Sequence, residues 1–196
     1  KINNGKDTIA KTNSNMTQAD LLILVDSDDN ELGHLEKELC HIGYGKLHRA
    51  FSIFLFNDDG DLLIQQRADC KPLWGNYWSN TCCSHPRVGE SLEVATNRRT
   101  IEELGIESEL HFIYKFEYQA SFNDRLSENE LCSVFCGHFD GLPIANPDEV
   151  KNWEWISPER LSRELKANPN LYTPWLKLEW RKLQNDYADH LQKYTP

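Results

Sequence analysis

The chain has 196 residues, 39% hydrophobic and 27% charged, which suits one globular domain with a sizeable buried core. Its formal net charge of −10 argues against nucleic acid as a partner, because phosphate contacts need a basic face. No apolar run approaches the length of a membrane span.

Residues 1–18 are rich in Asn, Lys and Thr and read as a flexible lead-in. They contain no apolar run of the secretory type, so no signal peptide is expected. Residues 19–196 are taken as the folded domain. Leu21 to Val25 is a short apolar strand, ended by the turn-rich Asp26-Ser27-Asp28-Asp29-Asn30. His41 to Gly45 carries two glycines and reads as a loop. Arg49 to Phe56 and Asp61 to Arg67 are strand-like runs, and Asn57-Asp58-Asp59-Gly60 between them is a hairpin signal. Ser91 to Leu104 has helical character, with Gly105 placed to end it. Leu110 to Tyr118 and Glu130 to Phe139 predict two more strands. Ser157-Pro158-Glu159 opens a helix with a hydroxyl cap, a proline at the first helical position and a carboxylate near the dipole. Thr173-Pro174 opens another, with Leu176, Trp180, Leu183, Tyr187 and Leu191 on one face at helical spacing. The order predicts a single α/β domain with a mixed sheet flanked by helices.

Six cysteines occur, at 40, 70, 82, 83, 132 and 136. The adjacent Cys82-Cys83 and the chain length favour free thiols in a reducing cytoplasm over a disulfide framework. No C-x-x-C pair occurs, which argues against a four-thiolate zinc site. The chemistry concentrates in Asn80-Thr81-Cys82-Cys83-Ser84-His85-Pro86, in Glu128-Asn129-Glu130, and in His41 and His48. A thiol, three imidazoles and two carboxylates can hold a metal and move a proton. Alternation along a strand places Glu128 and Glu130 on one face, and Cys82 on the face opposite Cys83.

The run Ser84, Glu90, Arg98-Arg99-Thr100-Ile101-Glu102-Glu103-Leu104-Gly105-Ile106 resembles the Nudix box, a loop-helix-loop that binds divalent metal and diphosphate. Ser84 stands where the box has its glycine, and Arg99 where it has the glutamate of its Arg-Glu pair. Losing that carboxylate weakens the metal cluster that would activate a hydrolytic water. Read on its own, the same run is a mixed-charge helix in which Arg99 and Glu103, four apart, pair on a solvated face.

Together with Leu35-Glu36-Lys37, Leu47-His48-Arg49-Ala50-Phe51-Ser52, Gln65-Gln66-Arg67 and Tyr172-Thr173-Pro174-Trp175, these motifs resemble the type I isopentenyl-diphosphate isomerases over about Leu21 to Trp180. The segment Trp74-Gly75-Asn76-Tyr77-Trp78 departs from the Pro-Gly usual there and implies a changed loop. The resemblance implies a Nudix-like fold and, as a step of isoprenoid biosynthesis, interconversion of isopentenyl and dimethylallyl diphosphate. It implies catalytic roles for Cys83 and Glu130, with Tyr118 hydrogen-bonding the glutamate and Trp175 facing the reacting carbons. It implies a metal site of His41, His48, His85, Glu128 and Glu130, holding Mn²⁺, Zn²⁺ or Mg²⁺. Lys37, Arg67 and Lys71 would contact the diphosphate. Glu103, helped by the Cys83 carbonyl, would hold an Mg²⁺ that bridges it. A monomer or weak homo-oligomer is expected, acting on a small diphosphate without membrane or nucleic acid. A Nudix diphosphohydrolase and a non-catalytic metal- or diphosphate-binding module are the rival readings.

Overall fold

The computed structural model describes residues 21–195, so the expected lead-in at residues 1–18 lies outside the described part. Among the described residues, nine strands form one mixed sheet with helices on both faces. Its spine is β3 (His48–Phe56), whose side chains are buried on both faces. Phe51, Ile53 and Leu55 point into one core and Phe54 and Phe56 into the other. That explains a continuous apolar run in place of clean alternation. Each large apolar side chain so buried contributes about 1.5–3 kcal/mol.

β1 (Leu21–Val25) and β2 (Glu31–Glu36) form an antiparallel pair at one edge. A four-residue helix α1 (Lys37–Cys40) follows directly. β4 (Leu62–Arg67) lies beyond the Asn57–Gly60 turn, where Asn57 Oδ1 accepts from the amides of Asp59 (3.1 Å) and Asp61 (2.8 Å). The hairpin is short-lived: β3 and β4 share a single pair, Phe56 with Leu62. β4 then diverges to β5 (Trp78–Ser79) and β9 (Val150–Ile156). The space vacated along β3 is taken by β6 (Cys82–Ser84). On its other side β3 runs parallel to β8 (Ser127–His138), which pairs with β7 (Leu110–Ser121).

α2 (Leu92–Leu104) begins at Ser91, whose hydroxyl accepts from the Val94 amide. It ends where Gly105 turns left-handed with φ 67°, and a Cβ there would meet Ile144 at 3.0 Å. α2 covers one face through Ala95 and Leu104. α3 (Pro158–Ala167) and α4 (Pro174–Asp186) cover the other through Leu161, Leu176, Trp180 and Leu183.

The structure corrects the expected C-terminal helix. It does not run on to Leu191 but breaks at Tyr187 (φ −128°), and a separate short α5 (Ala188–Leu191) follows. Asn185 and Asp186 are weak helix formers, and the turn lets Tyr187 stack on Tyr114 at 4.5 Å. The strands around Tyr118 and Glu130 are also longer than predicted, which brings Glu128 onto β8 itself.

Candidate active site

Three registers assemble the site. β3 against β8 sets His48 beside Glu130, β8 against β7 sets Glu130 beside Tyr118, and β3 against β6 sets Ser52 beside Cys83. Alternation then does the sorting. Cys82 enters the core under α2, while Cys83 packs with Ala50, Tyr118 and Trp175 on the α4 side. A cavity of about 450 Å³ opens there. Its walls include Cys83, Glu130, Tyr118, Trp175, His41, His85 and Glu128, and also Lys37, Arg67, Lys71, Arg99 and Glu103. Of the residues singled out from sequence, only His48 is absent from the walls. It lies behind them, fully buried.

His41, His48, His85 and Glu128 each present one ligand atom, all within 4.8 Å of one another. His41 Nδ1 and His48 Nδ1 lie 2.5 and 2.7 Å from the carbonyls of Lys37 and Lys46, so each ring donates outward and turns Nε2 inward. Burial and the neighbouring His85 push the His48 imidazole down to about 4. Burial and Lys37 push His85 well below its usual value. Both shifts favour the neutral ring, the form in which imidazole binds metal. Their Nε2 atoms face each other at 3.1 Å. Burial lowers His41, but the close carboxylate of Glu128 outweighs that and leaves it raised. His41 Nε2 and Glu128 Oε2 stand 2.8 Å apart, both buried without a hydrogen-bond partner. Inward-facing lone pairs with orphaned atoms are what a divalent cation would satisfy, and the mixed nitrogen–oxygen donor set suits one.

Glu130 adjoins this cluster and splits its two oxygens. Oε1 lies 3.0 Å from His85 Nε2 and 3.8 Å from His48 Nε2. Oε2 accepts from the Tyr118 hydroxyl at 2.7 Å. Burial, and then the Glu130 charge, push the Tyr118 phenol well above its usual range, so it remains a donor. Cys83 stands apart from the imidazoles. Its sulfur meets Arg67 Nη1 at 3.8 Å and Ser79 Oγ at 3.9 Å. Burial pushes the thiol up to about 12 against the pull of Arg67.

Trp175 lies in the first turn of α4, which docks on β5 through the Thr173 amide donating to the Trp78 carbonyl. The indole Nε1 donates to Ser79 Oγ at 2.9 Å and Asn80 Oδ1 at 3.2 Å. Arg67 lies 5.3 Å from the indole centroid and so bridges the ring and the thiol, beyond the diphosphate contact expected of it.

Four cations line the cavity in an acidic protein. Desolvation and then Lys71, with smaller effects of Arg99 and Arg67, hold the Lys37 ammonium below its usual range. Such crowding marks a place for an anion. Arg99 does pair with Glu103, but not on a solvated face: Glu103 is 4% exposed and also accepts from Gln65 Nε2 at 2.9 Å. Arg99 reaches Glu149 at 3.1 Å, and Glu149 also pairs with Lys71. Sequence reasoning marked Arg99 only as a departure from the box and missed its place in the cavity wall. It missed Gln65 too, although Gln65 lies two residues before Arg67 on the same strand. Of the two residues that hold Trp175, Asn80 opens the cysteine motif but was given no role, and Ser79 carries no signal beyond its closeness to Cys83.

Residues 46–176 match the NUDIX domain family. The chain is 44% identical over 156 residues to an isopentenyl-diphosphate Delta-isomerase of Serratia proteamaculans, covering 80% of this chain and 87% of that protein. It is 41% identical over 172 residues to isopentenyl-diphosphate Delta-isomerase 1 of Photorhabdus laumondii, covering 87% and 98%. Among solved structures, a Deinococcus radiodurans protein superposes with a TM-score of 0.69 at 23% identity, covering 83% of this chain and 98% of that one.

Proposed function

The chain belongs to the NUDIX domain family and, within it, to the isopentenyl-diphosphate Delta-isomerases, and on that premise we propose that it interconverts isopentenyl and dimethylallyl diphosphate. One observation carries the reading. A thiol, a carboxyl and an indole share a single cavity with four cations. Hydrolysis requires no buried thiol and indole. Moving a double bond can use a thiol–carboxyl pair as proton donor and acceptor, with an indole beside the developing positive charge.

An allylic C–H is too weak an acid for a side chain to deprotonate directly. The alkene is protonated first, which leaves positive charge on the tertiary carbon, and a base then removes a proton from the neighbouring carbon. Cys83 and Glu130 are the two proton-handling groups, and they exchange roles with the direction of reaction. Cys83 rests as a thiol. Glu130 is oriented at one oxygen by the imidazole side and at the other by Tyr118, which can pass it a proton. Trp175 offers an indole face toward the positive carbon. The apolar walls Pro72, Leu73 and Leu126 keep water from the charged species.

Lys37, Arg67, Lys71 and Arg99 bind the diphosphate. Glu103 would be the carboxylate that holds an Mg²⁺ accompanying the diphosphate, releasing its contact with Arg99 or Gln65 to do so. His41, His48, His85 and Glu128, with Glu130 beside them, would hold Mn²⁺, Zn²⁺ or Mg²⁺. Bound there, a cation would supply positive charge that orients the Glu130 carboxyl and tunes its proton affinity. The hydrolase reading is disfavoured by Arg99, whose guanidinium occupies the place of a metal-binding carboxylate and pairs with Glu103. All six cysteines are free thiols, which supports a reducing, cytoplasmic setting.

The test is proton NMR of isopentenyl diphosphate with the protein, Mg²⁺ and Mn²⁺ in D₂O. The expected product is the allylic isomer carrying deuterium. Unchanged substrate, or released phosphate, would overturn the reading.

A further inference from the structure

The loop between β4 and β5 is under backbone strain. Trp74 has φ 47° and Asn76 φ 68°, in the left-handed region. Asparagine tolerates that region, but a bulky aromatic residue adopts it only at a cost, and such strain persists where surrounding contacts impose it. A Cβ on the intervening Gly75 would lie 3.0 Å from the carbonyls of Asp69 and Lys71, so the loop is tightly folded on itself.

The contacts that impose the strain are at the hydrocarbon side of the cavity. The Trp74 ring is buried, 5.3 Å from the Trp175 centroid and edge-on at 86°. On another side it meets Phe122 at 5.0 Å, in the turn between β7 and β8. Trp175 is thus pinned twice, at its nitrogen by Ser79 and Asn80 and at its ring by Trp74. Trp74 itself does not line the cavity, whereas its neighbour Leu73 does. The carbonyls of Trp74 and Leu73 accept from Arg67 Nε and Nη2 at 3.2 and 3.0 Å. That backbone function does not depend on the Trp74 ring.

We propose that Trp74 is a positioning residue that sets the depth of the hydrocarbon end of the cavity, bracing the Trp175 indole from behind so that a five-carbon tail is preferred over longer ones. The proposal rests on the isomerase reading. Removing the ring lets the indole retreat and opens space for an extra methylene. The cations that hold the diphosphate stay where they are.

The experiment compares isopentenyl diphosphate with 3-ethylbut-3-enyl diphosphate, which carries one more methylene, using protein loaded with Mg²⁺ and Mn²⁺. Trp74→Gly keeps a residue at ease with positive φ. It should raise the preference for the longer substrate, as a ratio of kcat/KM values, by about tenfold. For isopentenyl diphosphate, kcat should fall while KM holds, and Trp74→Phe should restore most of the kcat. Phe122 lies at the surface, so Phe122→Ala is a folding-tolerant second variant, and it should shift the ratio in the same sense. An unchanged ratio in Phe122→Ala and in any folded Trp74→Gly, or equal losses on both substrates, overturns the proposal. Wild-type protein inert toward both substrates overturns the isomerase reading instead.

Discussion

Replacing Tyr118 with Phe removes one oxygen and little else. The ring stacks on Phe116 at 5.4 Å and is 7% exposed, so its packing survives the change. What is lost is a 2.7 Å hydrogen bond to Glu130 Oε2 in a buried site. A hydrogen bond to a charged partner contributes about 1.5–3 kcal/mol. If the bond is needed chiefly while Glu130 handles the proton, the loss falls on the transition state. At about 1.4 kcal/mol per decade, kcat should drop roughly 10- to 150-fold. Tyr118 pairs with no member of the cation cluster, so KM should barely move. The assay is steady-state kinetics with isopentenyl diphosphate, beside a thermal melt that should shift by only a few degrees. A variant with wild-type kcat, or one whose KM rises while kcat holds, would refute the assignment of Tyr118 to proton handling.

Cys83→Ala should lower kcat by about 10²–10⁴-fold with an unchanged circular dichroism spectrum, since general acid–base groups contribute on that scale. Dialysis against a chelator should remove turnover and lower the melting temperature, because a ligand that binds only the folded state stabilises it. Re-addition of Mn²⁺ or Zn²⁺ should restore both, and an unaltered melt would argue against a bound cation. Burial pushes the Glu179 carboxyl from 4.5 up to about 8. Folding therefore takes up a proton between those values. The neutral acid's stabilisation is complete below about 4.5 and is lost as pH rises through about 8. Glu179→Gln should flatten that decline, so the variant gains on the wild type from pH 6 to 9 in urea unfolding. Parallel pH profiles would contradict it.

Much of this site was legible because strand alternation is a rigid rule. Glu128 and Glu130 do share a face, and Cys82 and Cys83 do part company, as period-two reasoning requires. The helix ended by Gly105 was equally plain, since its cap and its left-handed stop are local features. What sequence could not give is who lies beside whom. The parallel pairing that sets His48 against Glu130 joins residues 82 positions apart, and nothing local encodes it. β2 was missed because it is a polar edge strand with no apolar alternation, and β5 because two residues carry no period. The setting of Arg99 was left open between two readings for a related reason. A charged pair at i, i+4 looks the same on a solvated helix as on one whose carboxylate is sealed beneath Gln65.

The single substitution at position 99 goes far toward explaining how a hydrolase-like box can serve an isomerase. A carboxylate there would add a negative charge beside Glu103 and favour a metal cluster able to activate water. A guanidinium reverses the local charge by two units and ties up a Glu103 oxygen. The cavity wall then presents Lys37, Lys71 and Arg99 with Glu149 as partial counterweight. In the proposed reaction these cations would hold the diphosphate without an arrangement that delivers hydroxide to its phosphorus. The proposed proton chemistry falls to the other strands, from which Glu130 and Cys83 line the same cavity. Arg67, between the indole and the sulfur, links the two regions. On the proposed function, holding the diphosphate and transforming the carbon tail are separate tasks within one cavity, carried by α2 and its neighbours on one side and by the β3–β8–β7 register on the other.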